Sequence, residues 1–251
     1  MPNYFIAVRY NGRKYAGFQT QENALTIQGE LEKALEIFFK EKIQLTGSSR
    51  TDAGVHARKN YFHFSSDLDK LTSSVYNINS ILPADIAVLG IYEVPVDAHA
   101  RFSAIGRAYS YHLYDKKNPF LNESSWYYPY PLDIDQMNAA ANEILGLHDF
   151  TSFSKRNTQV FTHNCTIEYA EWMQEDEELV FRVRGNRFLR GMVRALVGTM
   201  VKIGRGKLSM KEFGCIIAAR DNELADFSAP AHGLFLEDVQ YPPEIQKYLN
   251  V

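Results

Sequence analysis

The run Tyr4-Phe5-Ile6-Ala7-Val8-Arg9-Tyr10 is apolar on nearly every position and closes on Asn11-Gly12, which predicts a strand ending in a turn. The period then changes. Ile27, Leu31, Ala34, Leu35 and Phe38 recur at helical spacing behind Thr26, a residue type that caps helix N-termini. A strand is predicted near Ile43 to Thr46 and another from Asn60 to Phe64, with a polar, glycine-containing loop between them. Leu71, Val75, Ile78 and Leu82 predict a second helix, and Ile86 to Tyr92 a further strand.

The second half repeats this alternation. Arg107 to Tyr114 predicts a strand with Tyr109 and Tyr111 on one face and Ser110 and His112 on the other. Asp133 caps a predicted helix carrying Ile134, Met137, Ala141, Ile144 and Leu145. Strands at Cys165 to Trp172 and Leu179 to Arg184 flank an acidic turn. A helix from about Arg187 to Ile203 would bury Leu189, Met192, Val193, Leu196, Val197 and Met200, with Arg190 and Arg194 four apart on another face. Ser209-Met210-Lys211-Glu212 is a capping box opening a last helix. Strands interleaved with helices predict an α+β fold of two split-βαβ (ferredoxin- or RRM-like) domains, with mixed, mainly antiparallel sheets flanking a central basic cleft. The expected domains are residues 1–104 and 105–251.

Composition narrows the class. A chain of 251 residues with 45% hydrophobic and 23% charged residues is an ordinary globular sequence. No apolar run approaches the roughly 20 residues that span a bilayer. Met1-Pro2-Asn3-Tyr4 lacks the basic-then-apolar signature of a signal peptide, so the sequons at Asn122 and Asn164 are expected to be chance. Cys165 and Cys215 are too few for a disulfide framework or a zinc site, which fits a reducing cytoplasm. The net charge of −3 is unremarkable, but its distribution is uneven. From Leu179 to Lys211 there is no Asp or Glu, while Arg182, Arg184, Arg187, Arg190, Arg194, Lys202, Arg205, Lys207 and Lys211 are basic. So many cations without neutralising neighbours predict a polyanionic partner. The preceding acidic run, Glu171 and Glu175 to Glu178, reads as a solvated face.

Chemistry concentrates in Gly47-Ser48-Ser49-Arg50-Thr51-Asp52-Ala53-Gly54-Val55-His56-Ala57. Small residues around Asp52 let the backbone turn sharply and let a bulky substrate approach. Asp52 there suits either a nucleophile or base, kept ionised by an arginine, or a plain Asx turn. Arg50, His56, Arg58 and Lys59 surround it with positive charge. Further blocks are Tyr10 to Gln19, His99-Ala100-Arg101-Phe102-Ser103-Ala104 with Arg107 and Tyr109-Ser110-Tyr111, Gly146 to Phe153, Phe188-Leu189-Arg190-Gly191-Met192-Val193-Arg194, and Ala229 to Leu236.

Arg-Thr-Asp-Ala-Gly-Val-His closely resembles the signature of the TruA-type tRNA pseudouridine synthases, and the other blocks resemble that family's motifs in the same order over nearly the whole chain. Departures are Asn11 for the usual Asp, Phe18 for Trp, Ser49 for Gly, and Lys59-Asn60 for Gly-Gln. The resemblance implies isomerisation of uridine to pseudouridine in the anticodon stem-loop of tRNA, at tRNA positions 38, 39 and 40, by a homodimer without cofactor or metal. It implies that Asp52 is the catalytic carboxylate, that Arg194 pairs with it and that Tyr109 stacks on the target base. Arg50, the second candidate for the pairing with Asp52, is expected rather to contact substrate or loop, and His56 and Arg58 to line the entrance near the displaced nucleotide. Phe102 and Leu234 would wall the base pocket, and Arg187, Arg190, Arg205 and Lys207 would meet RNA phosphates. Three routes stay open for Asp52: attack at C6 of uracil, attack at C1′, or removal of the C2′ proton.

Other classes find less support. There is no Gly-x-Ser-x-Gly elbow, Gly204-Arg205-Gly206-Lys207 lacks the spacing of a P-loop, and the seven histidines show no zinc pattern. The competing reading is a non-enzymatic RNA-binding module or RNA chaperone, in which an ionised Asp52 would only weaken anion binding.

Overall fold

The computed structural model describes residues 1–156 and 160–249. In chain order the strands are β1 (Asn3–Tyr10), β2 (Thr46–Gly47), β3 (His56–Ser65), β4 (Ile86–Val94), β5 (Gly106–Tyr114), β6 (Trp126–Tyr127), β7 (Gly146–Asp149), β8 (Asn164–Glu175), β9 (Glu178–Gly185) and β10 (Leu234–Gln240). The helices are α1 (Ile27–Phe39), α2 (Val75–Ile81), α3 (Ile134–Glu143), α4 (Met192–Gly204), α5 (Met210–Ala219) and α6 (Pro243–Leu249). By contacts the chain forms two compact units, Met1–Gly106 with the chain from Leu236 onward, and Arg107–Phe235. The expected division at 104/105 left the C-terminal strand and helix in the second half; contacts group them with the first.

In the first unit the strand order is β4-β1-β3-β10, with β1 antiparallel to both β3 and β4. Strand alternation sends Tyr4 and Phe64 to one face, where their rings stack at 5.7 Å, and Phe62 onto Phe18 at 4.2 Å. The opposite face carries Phe5 and Tyr61, both edge-on to Tyr241. Thr26 caps α1 by accepting the Gly29 N–H, and Ile27, Leu31, Ala34 and Leu35 are buried. Each of the Ile and Leu side chains contributes about 1.5–3 kcal/mol on burial. Two expectations change. Between Ile43 and Thr46 the only strand is the two-residue β2; Ile43 and Leu45 are buried in a loop whose Leu45 N–H donates to the Glu32 carboxylate. The helix expected over 71–82 is a short 3-10 turn followed by α2.

The second unit has the order β5-β9-β8-β7, antiparallel throughout, while the short β6 runs parallel to β5. The pairing in this unit is therefore mixed and mainly antiparallel. Trp172 of β8 pairs with Phe181 of β9 and stacks on it at 4.9 Å. Asp133 and the Ser209/Glu212 box cap α3 and α5 as predicted. Helix α4 starts at Met192, with Gly191 as its N-cap, rather than at Arg187. Arg190 therefore lies before the helix and does not share a helical face with Arg194. No helix among the described residues is long and apolar enough to cross a membrane.

Candidate active site

Asp52 is half-buried in the loop that leads into β3. Its carbonyl accepts the Val55 N–H at 3.2 Å, and Gly54 sits at φ 78°, so Asp52 to Val55 form a tight turn that needs a residue tolerant of positive φ at Gly54. The segment on either side is tied to three other parts of the unit. Ser48 N–H donates to Tyr61 O at 2.8 Å, Phe18 N–H to Thr51 O at 3.2 Å, and Gly54 N–H to Tyr15 O at 3.3 Å. Gly12 packs so tightly here that a Cβ on it would lie 1.9 Å from the Val55 carbonyl oxygen.

Behind the loop, Asn60 and Tyr10 form a buried polar cluster. The Asn60 amide donates to Ser49 O at 2.8 Å and to the Tyr10 hydroxyl at 3.1 Å, and that hydroxyl lies 2.8 Å from the Thr51 hydroxyl. Among the described residues the Ser49 hydroxyl finds no partner, so it is the Ser49 peptide that is held.

The other first-unit candidates divide by exposure. Arg50 is exposed and donates to the Gln19 side chain at 3.2 Å. Arg58 is exposed on β3. Phe102 is 76% exposed, with the Arg101 guanidinium 5.5 Å from its ring centre and His99 at 4.4 Å on the ring side. His56 differs from what its motif suggested. It is 1% exposed, and its Nδ1 accepts the Gly12 N–H at 3.2 Å, which puts it behind the loop as a support.

In the second unit Tyr109 is half-buried on β5, its ring edge-on to Phe188 at 5.1 Å. Arg194 projects from the first turn of α4 and donates through Nε to Ala229 O at 2.7 Å. The adjacent Pro230 carbonyl accepts the Tyr111 hydroxyl at 2.8 Å. Burial raises the Tyr111 phenol well above its ordinary range, and the Arg194 charge pulls the other way. Leu234 is buried. Arg187 is half-buried, Arg190 and Lys207 are exposed, and the Arg205 guanidinium lies 4.4 Å over the Tyr130 ring. The basic stretch is less bare than its sequence implied. Arg182 makes a bidentate pair with Glu175 at 2.8 Å, Arg184 pairs with Glu168 at 3.1 Å, and Lys202 with Asp226 at 3.0 Å. For the two arginines the reason is cross-strand: β8 brings its acidic residues alongside the arginines of β9.

Sequence reasoning gave no role to Tyr10, Gly12 or Asn60. Tyr10 and Gly12 were visible only as part of a motif, and Asn60 only as a departure from one; their contacts with the loop need the β1–β3 pairing to be seen. Among the described residues no three His, Cys, Asp or Glu side chains cluster as a metal site.

Comparison with known proteins bears on the whole chain. Residues 6–103 and 140–242 match the sequence model of a family described as tRNA pseudouridine synthase. A tRNA pseudouridine synthase A from Parabacteroides distasonis is 44% identical over 247 residues, 98% of each chain. One from Bacteroides fragilis is 45% identical over 96% of this chain and 97% of that one. One from Halalkalibacterium halodurans is 43% identical over 91% of this chain and 89% of that one.

Proposed function

Because the chain belongs to the tRNA pseudouridine synthase family, we propose that it isomerises uridine to pseudouridine in tRNA with Asp52 as its catalytic carboxylate. The reaction breaks the N1–C1′ bond, turns the uracil and closes a C5–C1′ bond; C5 gives up its proton and N1 ends protonated. Atoms and electrons balance within the nucleotide, so the chemistry asks for a group that starts cleavage, a platform that holds the detached base, and exclusion of water.

The observation that carries the reading is the placement of Asp52. A half-buried carboxylate at the tip of a turn, with its backbone fixed from behind, is preorganised for a substrate arriving from the front. Its ion partner in this reading is Arg194. The Nε bond to Ala229 anchors the guanidinium and leaves the terminal nitrogens as donors for a carboxylate. Removing one member of such a pair costs about 3–5 kcal/mol when it is buried. Tyr109 stacks on the uracil, which returns about 1–3 kcal/mol against the few kcal/mol of extruding a nucleotide. These nearly cancel, so net affinity must come from phosphate contacts, for which Arg50, Arg58, Arg187, Arg190, Arg205 and Lys207 are the candidates. Phe102 and Leu234 are the candidate walls of the base pocket.

The same reading places the target uridines in the anticodon stem-loop and makes the enzyme a homodimer, as the motif resemblance implies, working in the reducing cytoplasm that its sparse cysteines fit. It also treats the first unit as a split-βαβ domain. The pairing supports this: β3 and β4 flank β1 and both run opposite to it, so they are parallel to each other and joined through α2.

The deciding experiment is tritium release from tRNA labelled at uridine C5, with wild-type protein and Asp52→Ala. Release by the wild type alone is expected. Release by both would move the catalytic group elsewhere, and release by neither, with tRNA still bound, would leave a binding protein.

A further inference from the structure

We propose that Asn60, acting with Tyr10, is a positioning residue that sets the geometry of the Asp52 loop; the inference rests on the reading of Asp52 as the catalytic carboxylate. Asn60 is fully buried on β3, eight residues beyond Asp52. A side-chain amide has two donors and two acceptor sites, and here all four are filled. Oδ1 accepts the Tyr61 N–H at 2.8 Å and the Ser49 N–H at 3.4 Å. Nδ2 donates to Ser49 O at 2.8 Å and to the Tyr10 hydroxyl at 3.1 Å. The Tyr61 N–H fixes which end of the amide is oxygen, because only an acceptor satisfies it.

The consequence runs forward along the loop. The Tyr10 oxygen accepts from the Asn60 amide and shares a hydrogen bond of 2.8 Å with the Thr51 hydroxyl, so it links Asn60 to Thr51. Ser49 is thus held by both sides of its peptide and Thr51 by its side chain, immediately before Asp52. From other directions Phe18 N–H holds the Thr51 carbonyl and Val55 N–H holds the Asp52 carbonyl. The Asp52 Cα is bracketed by fixed peptides, and Asn60 supplies the base of the bracket.

A second observation points the same way. The β1–β3 register slips between Val8 and Tyr10: Val8 faces Asn60 but Tyr10 faces Ala57, so β3 carries one extra residue there. Such bulges bend a strand and re-aim its side chains. This one lies in the stretch where Asn60 reaches both Tyr10 and the loop. Buried polar networks specify position only while every member is satisfied, and a displacement near 1 Å can cost about 10²-fold in rate.

The test measures kcat and KM for tRNA in wild type, Asn60→Asp, Asn60→Ala and Tyr10→Phe. Asn60→Asp keeps the shape and removes the donor; Tyr10→Phe deletes one oxygen and keeps the core ring. Asn79→Ala is the control, since Asn79 also ties backbone at Val88, through bonds of 2.9 and 2.7 Å, but does so between α2 and β4 and not at the loop. We expect the Asn60 variants to lower kcat at least about tenfold with KM within about twofold, and Tyr10→Phe to lower kcat by less. The Tyr10→Phe/Asn60→Ala double variant should lose less than the product of the singles, because both act on one hydrogen-bond path. Asn79→Ala should lower Tm and leave kcat unchanged. If Asn60→Asp fails to fold, Tyr10→Phe decides by the same split. Wild-type kcat in these variants, or a kcat loss in Asn79→Ala that tracks its Tm, overturns the inference. Asp52→Ala is assayed alongside: turnover by that variant sinks the catalytic reading, whereas a dead Asp52→Ala beside a fully active Asn60→Asp sinks only the positioning role.

Discussion

The backbone N–H of Gly12 donates to Nδ1 of His56 across 3.2 Å, tying the turn after β1 to the first residue of β3 behind the Asp52 loop. The contact is close because Gly12 has no side chain: a Cβ would sit 1.9 Å from the Val55 carbonyl oxygen, a backbone atom that cannot swing aside. Gly12→Ala must therefore push the loop and the turn apart. Overpacking of this kind costs about 1–3 kcal/mol, read as a lower urea midpoint at unchanged m-value. An unchanged midpoint would mean that the two segments are not in tight contact.

Exposure separates cations that can meet RNA from those that serve the fold. Arg182 is held bidentately by Glu175, while Arg190 is exposed ahead of α4. Arg190→Ala should reduce the slope of log K against log salt for tRNA binding by about 1, the signature of one lost phosphate contact. Arg182→Gln should leave that slope unchanged. Filter binding over a salt series reads both, and equal slopes in the two variants would refute the division.

Stability should fall on mild acidification. His63 packs 4.2 Å from His99, and its Nδ1 accepts the Ala100 N–H at 3.3 Å. Burial lowers the His63 pKa below its ordinary 6.5, and the neighbouring His99 lowers it further. On acidification the unfolded chain then takes up the proton first, so the stability present above about pH 6.5 is lost as pH falls below it. Urea midpoints should drop between about pH 7.5 and about pH 5.5, and His63→Asn should flatten the drop. His99, whose pKa is also lowered by burial, supplies a residual slope. A His63→Asn profile identical to wild type would assign the effect elsewhere.

Local signals were legible where one element contained its own reason. Thr26, Asp133 and the Ser209/Glu212 box announced their helices because a cap and the N–H it accepts lie three residues apart. The Asp52 loop was legible because its motif is compact. What escaped depends on distant partners. The apolar residues at Ile43 and Leu45 read as a strand, but a Glu32 carboxylate takes the Leu45 N–H that a neighbouring strand would have taken. Leu189 fits the period of α4 and is buried, yet it lies before the Gly191 cap. The basic run read as unneutralised because Glu168 and Glu175 meet Arg184 and Arg182 only across a hairpin. Asn60 read only as a departure from a motif because its contacts with Ser49 and Tyr10 depend on how β3 pairs with β1.

The ring pair of Tyr109 and Phe188 separates stacking from packing. Phe188 meets Tyr109 edge-on at 5.1 Å, which braces the Tyr109 ring. If Tyr109 stacks on uracil, Tyr109→Leu removes the platform and should cost about 1–3 kcal/mol of transition-state binding, lowering kcat/KM roughly 5–150-fold. Phe188→Leu keeps the platform and loosens its brace, so its loss should be smaller and should appear mainly in KM. The two variants should lose similar amounts of thermal stability, since each removes one ring from the same contact. Steady-state kinetics on one tRNA substrate distinguish the cases: an equal loss of kcat/KM in both would show that Tyr109 matters only as packing for β5.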